Sequence, residues 1–176
     1  MSTQDITTLR QGTAASNAVA GADAVALLTT DHANVADLFE EYEALVDDGG
    51  GDDRKQALAE RICAMLTAHS TIEEEIFYPA AREALDEHDL LDEAEVEHAT
   101  AKDLIEQIQS MDPDDELYDA KVKVLGEYVS HHVQEEEGEL FPRCQDAEMD
   151  LDRLGEEISA RKVELMQELG IEDEED

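Results

Sequence analysis

Apolar residues recur along most of this chain at the spacing of three and four that marks one face of a helix. The first stripe starts at about Ala24 and contains Val25, Leu28, Val35, Leu38, Phe39, Tyr42 and Leu45. It ends in the run Asp47-Asp48-Gly49-Gly50-Gly51-Asp52-Asp53, which reads as a loop. A second stripe holds Leu58, Ile62, Met65, Leu66, Ile72, Ile76 and Phe77. Pro79 is expected to kink or end it, with Ala80 to Leu85 as a helical continuation. After a turn at Asp86 to Asp89, a third helix is expected from Leu90 to Ser110, marked by Val96, Leu104, Ile105 and Ile108. Asp112 as N-cap and Pro113 at the first helical position predict the start of a fourth helix. Pro142 is expected to stop that helix at Phe141. A fifth spans Leu151 to Leu169 and closes at Gly170. No strand is required. The pattern predicts an all-α protein, organised as an arm at residues 1–23, a four-helix bundle at 24–145, a C-terminal helix at 146–170 and an acidic tail at 171–176.

Charge changes this picture. The 176 residues carry 48 acidic and 12 basic side chains, a formal charge of −36. Such a surface repels phosphate backbones and anionic membranes, so neither nucleic acid nor membrane is expected as a partner. High net charge also favours disorder, but 41% apolar residues, helical periodicity and only 3 prolines argue for a folded core. A salt-rich interior would screen the self-repulsion of the acidic faces. The two cysteines, Cys63 and Cys144, lie far apart and suggest neither a disulfide framework nor a thiolate metal site. The N-terminus lacks a basic segment before an apolar run, so the expected location is cytoplasmic.

The chemistry is carried by a repeat. Residues 69–79 read HSTIEEEIFYP and residues 132–142 read HVQEEEGELFP, two copies of H-x-x-x-E-E-x-x-x-[FY]-P. Each copy is preceded by an acid–histidine pair, Asp31-His32 in one half and Glu97-His98 in the other. The chain is therefore expected to hold two helical hairpins of one plan. In the first, His32 and His69 stand almost level about the loop at residue 50. In the second, with the turn placed at residue 112, His98 and His132 are offset by roughly 9 Å along the axis. Residues four apart share a helix face, so Glu73 joins His69 and Glu136 joins His132. If all four helices aim inward, four imidazoles and two carboxylates meet inside the bundle. Buried carboxylates cost several kcal/mol each without a partner. Six such ligands suit a pair of metals, and imidazole with carboxylate favours iron or manganese.

These motifs resemble the hemerythrin-like (HHE cation-binding) domains over roughly residues 24–145. The resemblance implies an up-down-up-down bundle around a non-haem di-iron centre, two iron ions joined by an oxo or hydroxo bridge. His32, His69, His98 and His132 would be terminal ligands, with Glu73 and Glu136 bridging. Manganese remains the alternative metal. The implied function is binding of O2 or a related small oxidant or gas for storage, sensing or detoxification. The alternative is an enzyme that decomposes peroxide or reduces NO. A protein partner stays open. One position departs from the oxygen carriers, which have a further histidine one turn after the helix-three histidine, where this chain has Lys102. That leaves five donors per metal unless Glu97, Glu137 or water completes the set.

Other residues admit simpler readings. His88 reads as surface, and His131 is the alternative to His132 as ligand. Glu74, Glu75, Glu135 and Glu137 read as a solvated face, with Glu74 and Glu137 also placed to support ligands. Phe77, Tyr78, Leu140 and Phe141 read as core plugs beneath the site. Leu28, Val35, Phe39, Met65, Ile105 and Tyr128 are candidates to line a small gas pocket, with Tyr128 also a candidate hydrogen-bond donor to the ligand.

Overall fold

Each apolar stripe folds as a helix in the computed structural model, which describes residues 21–171. The elements are α1 (Ala24–Asp47), α2 (Asp52–Ile72), a π-helical turn π1 (Glu73–Phe77), α3 (Tyr78–Ala84), α4 (Asp89–Gln109), α5 (Tyr118–Glu135), a second π turn π2 (Glu136–Leu140), α6 (Phe141–Asp146) and α7 (Leu151–Leu169). No strand occurs among the described residues. The arm expected at residues 1–23 and the tail at 171–176 lie mostly outside them. No helix is long and apolar enough to cross a membrane.

The four rods of the bundle are α1, α2–π1–α3, α4 and α5–π2–α6. Helix α1 packs on α2 and α5, α2 on α4, and α4 on α5. Asp23 caps α1 by accepting a 2.8 Å hydrogen bond from the Ala26 N–H. Asp150 caps α7 in the same way from Arg153 N–H. Helix α7 ends at Gly170, whose φ of 65° suits a residue without Cβ.

Three sequence expectations are corrected. Pro142 does not stop its helix at Phe141, whereas Pro79 is followed by the expected helical continuation. Ahead of each, one turn widens: Tyr78 N–H bonds the Glu73 carbonyl and Phe141 N–H bonds the Glu136 carbonyl, both five residues back. The wider turn accommodates a proline that has no N–H and whose ring crowds the carbonyl four residues earlier. The chain then continues as helix to Ala84 and Asp146. The fourth helix starts at Tyr118 rather than Asp112. Residues 112–118 make tight turns instead, with Asp115 N–H on Asp112 O and Tyr118 N–H on Asp115 O. The acidic segment has no apolar face to bury, and a short helix gains little without packing. This late start improves the level of the second hairpin. His98 lies 11 residues before the end of α4 and His132 lies 14 after the start of α5. The third correction is Val96, which is 66% exposed rather than a core mark.

The core has two parts. One contains Leu28, Ile72, Phe77, Phe141, Leu154 and Ile158; the other contains Val35, Tyr42, Ile62, Ile105, Tyr118 and Leu125. On α1, His32 falls between Leu28 of the first and Val35 of the second, so the histidine layer separates them. Helix α7 covers the first part and packs on α1 and α2. Its approach depends on Gly155, where an added Cβ would lie 2.5 Å from the Ala22 carbonyl oxygen. Gly155→Ala is expected to push α7 away and cost about 1–3 kcal/mol of stability, measured by denaturant unfolding; an unchanged midpoint would show that α7 docks otherwise.

Candidate metal centre

The four sequence-predicted histidines turn their Nε2 atoms toward one another. His32 Nε2 lies 3.1 Å from His69 Nε2, and His98 Nε2 lies 3.1 Å from His132 Nε2. Two carboxylates link the pairs. Glu73 places Oε1 3.0 Å from His69 Nε2 and Oε2 3.2 Å from His98 Nε2. Glu136 places Oε2 3.1 Å from His32 Nε2 and 3.5 Å from His132 Nε2. Both carboxylates are almost fully buried, at 0% and 2% exposure. The donors sort into two groups that share Glu73: His32, His69, Glu73 and Glu136, and Glu73, His98 and His132.

The outer nitrogens follow one rule in both halves. The acid before each lone histidine serves the other histidine of its hairpin: Asp31 faces His69 Nδ1 at 3.5 Å and Glu97 faces His132 Nδ1 at 3.4 Å. The acid after each shared glutamate serves the lone histidine of the opposite hairpin. Glu74 Oε1 is 2.9 Å from His98 Nδ1 and Glu137 Oε1 is 2.8 Å from His32 Nδ1. Ionised carboxylates only accept, so each Nδ1 carries the proton. In the neutral rings the Nε2 lone pairs then face one another across the centre. Glu73 Oε1 and Glu136 Oε2 are likewise buried without a hydrogen-bond partner. Lone pairs and orphaned carboxylate oxygens converging on one buried space fit cations bound between them.

The hemerythrin HHE cation-binding domain model matches residues 23–144. This chain belongs to that family. An HHE domain-containing protein of known structure, the Rv2633c homolog from Mycobacterium kansasii, shares the fold at a TM-score of 0.69 and 21% identity, covering 84% of this chain and 89% of that one. A Nostoc sp. protein (strain PCC 7120) named DNA nickase is 31% identical over 147 residues. That match covers 82% of this chain but only 40% of the Nostoc protein, so the present chain spans less than half of that relative.

Within this HHE domain some neighbouring residues were misjudged from sequence. Tyr78 is buried in the core as expected but is more than a plug. Its hydroxyl donates to Glu136 Oε1 at 2.6 Å, and also lies 3.2 Å from Glu73 Oε2 and His98 Nε2. In an unbroken α-helix a residue five after Glu73 points about 140° away from it; the π turn brings it back. The corresponding Phe141 stacks on His32 with ring centroids 5.8 Å apart and planes 3° apart. Glu97 and Glu137 face the outer nitrogens and not the cation space. His131 points outward, 65% exposed, toward Glu135, so His132 is the inward member of the pair. Lys102 holds both oxygens of Glu74, at 2.7 and 2.6 Å. His88 is partly buried, bonding the carbonyls of Arg82 and Leu85.

A cavity of about 50 Å³ adjoins all four histidines. Val35, Leu66, Ile105 and Val129 give it an apolar wall, with Lys102 and Tyr128 also at its edge. Of the candidates for such a pocket, Val35, Ile105 and Tyr128 line it, while Leu28, Phe39 and Met65 do not.

Electrostatics in the metal-free site follow from the pairing. Burial opposes the charged form of His69, yet Glu73 and Asp31 raise its pKa well above the usual value. His32 and His98 are also raised against burial, by Glu136 and by Glu73 and Glu74. Burial would lift the Glu73 carboxyl, but His69 and His98 hold it well below the usual range. Raised histidines stabilise the fold fully below the unfolded value near 6.5, and this contribution fades as pH climbs through their folded pKa values. Depressed Glu73 stabilises above about 4.3 and its contribution fades as pH falls through its folded pKa. The metal-free protein is therefore expected to lose thermal stability as pH rises above about 6.5, while metal-induced stabilisation grows because the ligands must shed protons. Melting curves with and without metal across this range check both; a metal-free melting temperature that climbs with pH would contradict the pairing.

Proposed function

We propose that this chain is a non-haem di-iron protein that binds O2 or a related small oxidant or gas for storage, sensing or detoxification in the cytoplasm. The observation that carries the reading is a pair of His/Glu groups sharing Glu73 beside an apolar cavity of about 50 Å³. His32, His69, His98 and His132 would hold the two irons, with Glu73 and Glu136 between them; manganese is the competing metal. When bound, such a pair supplies reversible redox chemistry and open positions for a small ligand. The cavity volume corresponds to a few water-sized spheres, so it admits a diatomic gas or peroxide and not a sugar or a base. Its apolar wall favours a neutral guest. The carboxylates at the outer nitrogens fix the ring orientations and keep the inner lone pairs available.

Tyr78 favours the second reading, an enzyme that decomposes peroxide or reduces NO. Burial, Glu73 and Glu136 all raise its pKa well above the usual phenol value, so the proton stays on the hydroxyl and is directed at Glu136 Oε1. A hydrogen-bond donor held at these carboxylates suits a reaction in which negative charge develops on oxygen as an O–O or N–O bond is cleaved.

The activity named for the longer Nostoc protein is not part of this reading. A net charge of −36 repels a DNA backbone, and the match takes in only 40% of the Nostoc protein.

Metal content and visible absorption, followed through dithionite reduction and readmission of air, test the proposal. About two irons per chain and a ferric band that bleaches and returns are the expected result. Loss of both in Glu73→Ala/Glu136→Ala is expected as well. Iron retained in that variant, or none in the parent, would contradict it. Reversal on removing O2 supports binding, whereas catalytic loss of added peroxide that weakens in Tyr78→Phe supports the enzyme.

A further inference from the structure

Of the four carboxylates at the outer nitrogens, two are themselves held by a lysine. Asp31, which faces His69, is paired with Lys162 Nζ. Glu74, which faces His98, is paired with Lys102 Nζ. Among the described residues, Glu97 and Glu137 face His132 and His32 without a lysine partner. His69 belongs to one donor group and His98 to the other, so each group contains one imidazole at the end of a lysine–carboxylate chain.

The two chains differ in setting. Asp31 is only 5% exposed, and once a bound cation leaves His69 neutral the buried carboxylate has Lys162 as its counter-charge. Lys162 lies on α7, beyond the residues 23–144 that match the family. The added helix thus does more than cover the apolar end of the bundle. Lys102 lies on α4 at the edge of the cavity, half in solvent, and fixes Glu74 from outside.

We infer that Lys162 and Lys102 are positioning residues, one for each metal position. Lys162 would fix Asp31 and through it the His69 ring, making tight metal binding at the His32/His69 position dependent on α7. Lys102 would fix Glu74 and the His98 ring at the other. The inference rests on the di-iron reading for its metal readout but not for its ring readout.

The test compares Lys162→Met, Lys162→Arg, Lys102→Met and Lys102→Arg in the full chain, with Val163→Ala as a control on the exposed side of α7. In an anaerobic chelator competition with Fe(II), Lys162→Met is expected to weaken one of the two binding steps 10- to 100-fold, the usual effect of removing an outer-shell partner. Lys102→Met should weaken the other, and the double variant both. The arginine variants should restore affinity, and Val163→Ala should leave it unchanged. In the metal-free protein, imidazole nitrogen NMR should show the His69 Nδ1 signal moved by Lys162→Met and the His98 signal by Lys102→Met. A Lys162→Met variant that melts earlier yet keeps both affinities and its His69 signal would reduce α7 to a structural cover and overturn the inference. Equal weakening of both steps by either methionine variant would overturn the assignment of one lysine to each position. A parent protein that binds no Fe(II) would sink the di-iron reading alone, because the NMR shifts still decide the positioning roles.

Discussion

Four imidazole nitrogens and two buried carboxylates meet at the middle of the bundle, and the rest of the structure is arranged around the cost of bringing them there. Outer carboxylates place a proton on each Nδ1, so the neutral rings can present only lone pairs to the centre. Without a cation, Glu73 and Glu136 favour the charged forms of His32, His69 and His98. With cations, those same donors are satisfied and the protons leave. The layer splits the hydrophobic core in two, and only the packing of Leu28, Phe77 and Phe141 on one side and Val35, Ile105 and Leu125 on the other holds it at one depth. The site and the core therefore depend on each other.

The two π turns show how local backbone geometry serves this layer. Each begins at a shared glutamate and ends before a proline, so the widened turn and the proline belong to one device. In the first copy it directs the Tyr78 hydroxyl at both glutamates; in the second it lays Phe141 against His32. The repeat is thus symmetric in its ligands and asymmetric in the groups beside them. One side gains a hydrogen-bond donor and the other an apolar plate.

Much of this was legible in the sequence. The doubled H-x-x-x-E-E motif and the two acid–histidine pairs point to the four histidines and two glutamates that converge on the centre, because an i,i+4 pair must share a helix face. The break at Gly49-Gly50-Gly51 and the stop at Gly170 were equally clear. Tyr78 was hidden because its orientation depends on one extra residue in a turn, which regular helical periodicity does not encode. The start of the fourth helix was misplaced because Asp112-Pro113 is a sound local signal that tertiary packing overrides in favour of Tyr118. The roles of Lys162 and Lys102 need contacts between distant elements, and nothing in local spacing announces them.

Basic side chains pair with the carboxylates of the bundle, as in Arg161 with Glu75 and Lys55 with Asp119. If the buried donors form two adjoining cation positions sharing Glu73, anomalous diffraction from crystals of the iron-loaded protein shows one peak among His32, His69, Glu73 and Glu136 and a second among Glu73, His98 and His132. A single peak, or iron only at the exposed His131 and Glu135, would contradict it.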